Sequence, residues 1–209
     1  MVMLLILGSG CAVLPSERDS LISVANSTHF ENWGNVYGWF VGDPCLNAWF
    51  GVLCDGNLST VLQLNLKGNN IIGTLPESIQ YLTSLIYLDL SNNDLQGTVP
   101  TNIGSITTLQ KLSLNNCYLI GTIPLSLIYL THLTYFDISA NLITGSIPSF
   151  VSSLKHLDLS DNIFTDLLAT SFENLNQLTY LDFSGNSFNG DLPACFDALT
   201  SLQTLKIEQ

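Results

Sequence analysis

The chain has 209 residues, of which 46% are apolar, and a formal net charge of −12. Only five residues are basic: Arg18, Lys67, Lys111, Lys155 and Lys206. This balance argues against nucleic acid, anionic membranes and polyanionic sugars as partners, because each requires positive charge on the protein. A basic or neutral partner is favoured instead.

The N-terminus, MVMLLILGSGCAVLPS, is an apolar run followed by small residues. Gly10 and Ala12 fit the small-x-small rule, which predicts a secretory signal in residues 1–16 with cleavage near Ala12. Because no Lys or Arg precedes Leu4, a buried N-terminal strand or helix is the alternative. No later stretch approaches the ~18 continuous apolar residues of a membrane span, so a membrane would be reached only through sequence outside this chain.

Residues 17–60 lack the repeat that follows them and are predicted to form an N-terminal cap, which an open solenoid needs over its first apolar face. Leu21, Ile22, Val24 and Ala25 predict an amphipathic helix that begins near Glu17.

Two sequons in this region, beginning at Asn26 and Asn57, are candidate glycosylation sites.

From residue 61 onward a pattern recurs, L-x-x-L-x-L-x-x-N-x-L-x-G-x-[IVL]-P. In the second unit, Leu88-Asp89-Leu90 alternates with period two, which predicts a strand with one buried face. No unit can bury its apolar edge alone, so residues 61–209 are predicted to stack as six full units and a truncated seventh. The units open at Val61, Leu85, Leu109, Leu133, Leu154, Leu178 and Leu202.

An asparagine recurs in this pattern, and a buried amide must bond neighbouring backbone groups. The sequence therefore predicts a hydrogen-bonded ladder, with Asn92 outside it and tolerant of substitution. Cys117 takes the ladder position of the third unit and is predicted to be a buried free thiol. Cys195 lies three units further, ~14 Å away, too far for a disulfide. The ladder residues are Asn69, Asn93, Asn141, Asn162 and Asn186.

These units resemble leucine-rich repeats of the plant-type extracellular subclass, whose mark is a Gly-x-[Ile/Val/Leu]-Pro step. The resemblance implies an α/β repeat fold: a right-handed solenoid with a parallel concave β-sheet and short 3₁₀ or helical convex turns. The step occurs at Gly73–Pro76, Gly97–Pro100, Gly121–Pro124, Gly145–Pro148 and Gly190–Pro193.

The segment from Asp43-Pro44-Cys45 to Cys54 is similar to the cap motif of the same family, D-P-C…W-x-G-V-x-C. With a secretory start, this resemblance implies a Cys45–Cys54 disulfide. Reduced or metal-binding cysteines are the alternative.

Two departures from the pattern stand out. The fourth unit, Leu133–Ser153, has 21 residues rather than 24, and the fifth has Asp166 and Ala169 in place of Gly and Pro. They predict an irregular back around residues 148–172, through either sequence drift or a partner-specific bulge. The chain also stops inside a predicted strand, which we expect of a fragment of a longer array.

His156, Asp158 and Ser160 superficially form a catalytic triad. Alternate strand residues are ~6.6 Å apart, beyond the ~2.6–3.2 Å that catalysis requires, and Asp-x-Ser recurs in other units. No cofactor motif is present, and no histidine has a partner at metal-ligand spacing. The sequence therefore predicts neither an enzyme nor a metal site.

In-register stacking places aromatic and acidic residues in two adjacent rows on the concave face. Tyrosines supply rigid contact area and carboxylates supply charge, so a protein or peptide with Lys or Arg is the predicted ligand. A merely solvated face is the alternative. The predicted ligand-binding residues are Tyr87, Asp89, Tyr135, Asp137, His156, Asp158, Tyr180 and Asp182.

The resemblance implies a secreted or cell-surface recognition domain, part of a receptor-like protein or receptor kinase. The alternatives are a secreted enzyme inhibitor resembling the polygalacturonase inhibitors and a structural cell-wall module.

Overall fold

The computed structural model describes residues 12–166, 172–188 and 194–208, except for the side chains of Asp166 and Cys195. It begins with helix α1, Pro15–Ser27, and a 3₁₀ helix, Phe30–Asn32. A short strand, β1 (Val52–Cys54), then leads into the repeats. Cys11 and Ala169 lie outside the described residues.

Parallel strands, one from each unit, form an eight-stranded sheet, which we call the concave sheet. β1 joins it antiparallel at one edge, so the cap continues the sheet rather than merely covering it. The other strands are β2 (Val61–Asn65), β4 (Tyr87–Asp89), β6 (Lys111–Ser113), β8 (Tyr135–Asp137), β10 (His156–Asp158), β12 (Tyr180–Asp182) and β13 (Thr204–Lys206).

A second, five-stranded parallel sheet follows the asparagine positions and was not predicted from the sequence. Its strands use the segment that leads into the Gly-x-[Ile/Val/Leu]-Pro step, where alternate residues such as Leu95 and Leu119 enter the core. They are β3 (Ile72–Thr74), β5 (Asp94–Gly97), β7 (Tyr118–Gly121), β9 (Leu142–Ser146) and β11 (Ile163–Asp166).

Short 3₁₀ helices close the coils, as the resemblance implies. The first three begin directly after a proline, which takes the N-cap position and whose carbonyl accepts the first backbone hydrogen bond of the turn. Residues 147–153, in the short fourth unit, contain no helical turn. The observed helices are Glu77–Tyr81, Thr101–Ser105, Leu125–Tyr129 and Ala194–Ala198.

The core is a stack of leucine columns rather than a central cluster. In the second unit Leu85, Leu88 and Leu90 are buried, and Ile103 and Ile106 close the same coil from the back. Burial of one such side chain contributes about 1.5–3 kcal/mol. Equivalent residues of successive units pack on each other, so the stability of each coil depends on its neighbours.

The predicted asparagine ladder is confirmed, and Asn141 illustrates it. Its Oδ1 accepts the Leu119 N–H of the preceding unit at 2.9 Å. Its Nδ2 lies within 3.1 Å of the carbonyls of Leu114, Ile138 and Ser139. One buried amide thus joins two coils. The same contacts recur at Asn93, Asn162 and Asn186.

Two ladder positions, in the first and the third unit, use other partners. Asn69, in the first unit, bonds both the N–H and the carbonyl of Asn35, so the ladder continues into the cap. Cys117 is a buried free thiol, as predicted, 3.6 Å from the Leu90 carbonyl. Burial raises the pKa of the Cys117 thiol above its usual range.

The residue before each ladder position adopts a left-handed conformation, and Asn92 (φ 56°) is one example. Asn92 also accepts a hydrogen bond from the Asn116 amide at 2.8 Å. This conformation and this bond argue against the prediction that Asn92 tolerates substitution, but Ala140 adopts the same conformation in the fourth unit, and the tolerance stays a prediction. The residues in this conformation are Gly68, Asn92, Asn116, Ala140, Asp161 and Gly185.

The cap packs on three tryptophans. The rings of Trp33 and Trp39 lie 4.8 Å apart and those of Trp39 and Trp49 lie 4.9 Å apart, and all three are buried. Each indole N–H donates to a backbone carbonyl. The Cys45–Cys54 disulfide is present and ties β1 to the loop before it.

Helix α1 begins at Pro15, two residues earlier than predicted. Val13 is already buried, and its N–H bonds the Asp43 carboxylate at 2.9 Å. The packed region therefore starts inside the segment assigned to a signal peptide. Cleavage near Ala12 stays a prediction, because residues 1–11 lie outside the described part of the chain.

Glu17 is fully buried between α1 and the first repeat instead of facing solvent in the first helical turn. Its Oε1 accepts the Thr60 hydroxyl at 2.6 Å and the Val61 N–H at 3.4 Å, while Oε2 is buried with no partner among the described residues. Burial raises the pKa of Glu17 above 4.5, and the Asp55 carboxylate adds to the rise against the opposing hydrogen bonds.

Asn141→Ala should lower the free energy of unfolding by about 1–3 kcal/mol, because the Leu119 N–H loses its acceptor inside the core. Asn115→Ala is the control, since the half-buried Asn115 side chain makes no hydrogen bond within the described chain. Urea unfolding measures both. Equal losses in the two variants would contradict the ladder.

Glu17→Gln should change how stability depends on pH. The raised pKa means that the folded state holds the Glu17 proton more tightly than the unfolded state does. The stability of the native chain relative to the variant should therefore fall as pH rises from 4.5 through the folded pKa. Urea unfolding followed by tryptophan fluorescence tests this, and a difference that does not vary with pH would refute it.

Candidate ligand-binding face

All eight residues predicted to bind a ligand lie on the concave sheet, in two adjacent rows. Strand register aligns Tyr135, His156 and Tyr180 across β8, β10 and β12, and it aligns their acidic neighbours in the same way. Tyr87 and Asp89 lie on β4, separated from the others by β6. The outer row is Gln63, Tyr87, Lys111, Tyr135, His156, Tyr180 and Thr204. The inner row is Asn65, Asp89, Ser113, Asp137, Asp158, Asp182 and Lys206.

From Tyr87 to Tyr180 the outer row is a continuous column of stacked side chains. The His156 ring lies between those of Tyr135 and Tyr180, with centroids 4.2 Å and 4.3 Å away and interplanar angles of 4° and 8°. The Lys111 ammonium lies over Tyr87 at 4.9 Å and over Tyr135 at 4.5 Å. The aromatic residues thus turn their edges, rather than their faces, toward a partner.

The inner-row carboxylates are largely occupied by the protein itself. In β8, Asp137 Oδ1 accepts the Ser139 hydroxyl at 2.7 Å and the Ser139 N–H at 3.0 Å. Its Oδ2 accepts the Tyr135 hydroxyl at 3.3 Å. The same arrangement links Tyr87, Asp89 and Ser91, and also Tyr180, Asp182 and Ser184.

The prediction that the acids and tyrosines of the concave face are free for a ligand is corrected by these contacts. Asp89, Asp137 and Asp182 are buried, and the tyrosines are half-buried and bonded to them. Asp-x-Ser recurs in the sequence, but the spacing alone does not reveal that the serine bonds the carboxylate. The face is therefore preorganised, and less of its negative charge is free than the composition indicates.

The titration of the face follows from this packing. Burial and the Asp89 carboxylate raise the pKa of Tyr87 to about 12, and burial with Asp137 raises the pKa of Tyr135. Burial lowers the pKa of His156, which favours its neutral form. The hydroxyls thus stay protonated donors at neutral pH.

The apparent triad of His156, Asp158 and Ser160 has no catalytic geometry. The spacing argument against it was wrong in one part, because the Ser160 hydroxyl does reach Asp158 Oδ1, at 2.6 Å. The serine hydroxyl donates its hydrogen bond to the carboxylate, however, and not to an imidazole that could activate it as a nucleophile. Three other units repeat this bond, so it belongs to the repeat.

The back of the short fourth unit carries a groove of about 420 Å³. Ile128, Phe150 and Val151 line it together with Glu173. β11 also pairs with β9 through a register shift after Phe164. The irregularity predicted for residues 148–172 is thus present in the described part of that range.

No helix in the described residues is long and apolar enough to cross a membrane. The candidate glycosylation sites, Asn26 at the end of α1 and Asn57 in the turn after β1, are both exposed. Glycosylation of either stays a prediction.

Family models described as leucine-rich repeat match the chain over residues 60–82, 84–106, 108–130, 132–154 and 152–209. A nodulation receptor kinase of Pisum sativum is 34% identical over 71 residues. That match covers 32% of this chain and 7% of the receptor kinase.

Solved structures of plant receptors share the fold. The Arabidopsis receptor kinase HAESA, in complex with the peptide hormone IDA and the co-receptor SERK1, has a TM-score of 0.79 at 28% identity over 93% of this chain and 33% of its own. The plant peptide hormone receptor RGFR1, in complex with RGF2, has a TM-score of 0.70 at 33% identity, over 74% and 25%. The ectodomain of the Arabidopsis thaliana receptor kinase SOBIR1 has a TM-score of 0.73 at 25% identity, over 87% and 99%.

The chain therefore spans a small part of the nodulation receptor kinase and about a quarter to a third of the HAESA and RGFR1 chains.

Tyr135→Ala should cost about 1–2 kcal/mol of unfolding free energy, because it removes the stack on His156 and the bond to Asp137. Tyr129→Ala is the control, since Tyr129 is 65% exposed on the back and its loss should change stability by less than about 0.5 kcal/mol. Thermal unfolding compares the two. Equal effects would mean that Tyr135 is as free as a surface tyrosine.

Proposed function

This chain belongs to the leucine-rich repeat family, in its plant-type extracellular class. We propose that it is part of a receptor-like protein or receptor kinase and that it is a recognition domain for a protein or peptide. The observation that carries the proposal is the fixed lattice of side chains on β8, β10 and β12. Rigid aromatic edges beside polar groups are typical of binding surfaces and lose little entropy when a partner binds.

The partners of related structures support this class of ligand. HAESA is described in complex with a peptide hormone and a co-receptor, and RGFR1 in complex with RGF2. By analogy, the concave sheet of this chain binds an extended peptide or a loop of another protein. With a net charge of −12, the favoured partner is basic or neutral.

The proposal places the domain outside the cell and gives it no enzymatic role. The Cys45–Cys54 disulfide is typical of an oxidising compartment. The hydroxyls that follow the aspartates, those of Ser91, Ser139, Ser160 and Ser184, donate to carboxylates, so none of these four is poised as a nucleophile. The domain therefore acts by binding, with no cofactor.

Binding through the concave sheet can be tested with peptides selected from a random display library on the native chain. Tyr135→Ala combined with Tyr180→Ala should weaken the selected peptides by about 2 kcal/mol or more, which is about thirtyfold in Kd. Calorimetry measures the affinity, well below the unfolding temperature because these tyrosines also support the fold.

Glu173→Lys is the control, because Glu173 is exposed on the back and makes no hydrogen bond within the described residues. It should leave the affinity unchanged. Glu77→Lys is less suitable, since Glu77 accepts bonds from Thr101 and Asn102. Peptides that bind the double variant normally but lose affinity for Glu173→Lys would move the site to the groove on the back.

A further inference from the structure

Four units carry an aspartate in the inner row, and one of them breaks the hydrogen-bonding pattern of the other three. In β4, β8 and β12 both carboxylate oxygens are occupied, Oδ1 by a serine and Oδ2 by a tyrosine hydroxyl. In β10 Asp158 Oδ1 bonds Ser160, but no donor in the described part of the chain reaches Oδ2. Asp158 therefore has one unused acceptor on a face where its counterparts have none.

The cause is the replacement of tyrosine by His156. The ring is held by stacking between Tyr135 and Tyr180, and it forms no hydrogen bond with Asp158. Imidazole also lacks the hydroxyl that extends a tyrosine toward the carboxylate of its own strand. The packing that fixes His156 thus leaves Asp158 partly exposed and incompletely paired.

The neighbouring strands already hold cationic groups of this chain. The Lys206 ammonium lies 3.0 Å from Asp182 Oδ2, 3.0 Å from the Tyr180 hydroxyl and 5.4 Å from the Tyr180 ring centroid. Lys111 lies over Tyr87 and Tyr135 on the other side of β10. Asp158 lies between these two lysines in strand order, and neither bonds it.

The charge state of the two carboxylates reflects this difference. Burial opposes ionisation of both, but the bonds from Ser184 and Lys206 outweigh it and lower the pKa of Asp182. The pKa of Asp158 is instead raised, by burial and by the Asp137 and Asp182 carboxylates. A cation at Asp158 would relieve the repulsion that Lys206 relieves at Asp182.

We propose that Asp158 Oδ2, beside the Tyr135–His156–Tyr180 stack, is the point at which the partner places a cationic group, the ammonium of a lysine or the guanidinium of an arginine. The inference rests on the proposed function, because it assigns the partner's chemistry at the concave sheet. The partner cation completes the pattern as Lys206 completes it at Asp182, with a charge-assisted hydrogen bond and contact with aromatic edges.

The test uses small probes in place of the partner. The probes are the methylamides of Nα-acetyl-lysine and Nα-acetyl-arginine, whose side chains stay charged, with Nα-acetyl-norleucine methylamide as the neutral control. Each is titrated into the native chain, and the shifts of the protein's backbone amide NMR signals report binding. The cationic probes should shift the amides of Asp158 and Ser160 and bind about tenfold more tightly than the neutral probe. The stronger of the two identifies the preferred cation.

Three variants separate a specific site from general attraction to an acidic protein. Asp158→Asn should weaken the cationic probes about tenfold, while its Oδ1 still accepts from Ser160. Glu173→Gln also removes one negative charge, but from the exposed back of the solenoid, and it should leave binding unchanged. His156→Tyr keeps every carboxylate and offers Asp158 Oδ2 a hydroxyl partner, as Tyr180 does at Asp182, where the same oxygen also accepts Lys206. This variant should therefore weaken the cationic probes less than Asp158→Asn does.

Equal binding by the native chain and Asp158→Asn would overturn the proposal, and so would equal losses in Asp158→Asn and Glu173→Gln. The amide spectrum of each variant reports whether it is folded, and His156→Tyr restores the arrangement of three other units. The probes are single blocked amino acids and not selected peptides, so this result does not depend on the outcome of the peptide selection. Selected peptides that need Tyr135 and Tyr180 but are insensitive to Asp158→Asn would leave the function standing and refute the cation site.

Discussion

The buried asparagine amide that joins each coil to the one before it is the interaction on which the rest of the fold depends. A coil of this kind cannot satisfy all of its turn amides from within, and an unpaired buried N–H costs about 1–3 kcal/mol. The ladder supplies those partners and thereby fixes the spacing and register of successive strands. The leucine columns add the apolar free energy, but they are less specific about register.

The character of the concave face follows from that fixed register. Because equivalent residues lie one strand apart, the side chains of neighbouring units stack, and tyrosine, serine and aspartate of one unit bond one another. The result is a surface whose side chains are already ordered before a partner arrives. The surface is distinctive where a unit departs from the tyrosine-bearing units, and His156, which stacks between two tyrosines, is such a position.

Much of this was predictable from the sequence, for identifiable reasons. Periodicity indicated the strands, the ladder and both rows of the concave face, because a repeat multiplies one local signal several times. The second sheet was missed because four of its five strands contain glycine and none has more than one buried residue among the described side chains, which gives too short an alternation to recognise. The burial of Glu17 and the saturation of the aspartates were missed because both depend on contacts between segments, not on the spacing within one.

The short fourth unit shows that the front and the back of a coil are set separately. Three residues and a helical turn are missing behind β8, yet β8 and β10 pair in the same register as their neighbours. Unequal recombination within the coding sequence of such an array can therefore shorten one face of the product without shifting the other. The shape of the convex back and the side chains of the concave sheet can thus change independently during evolution.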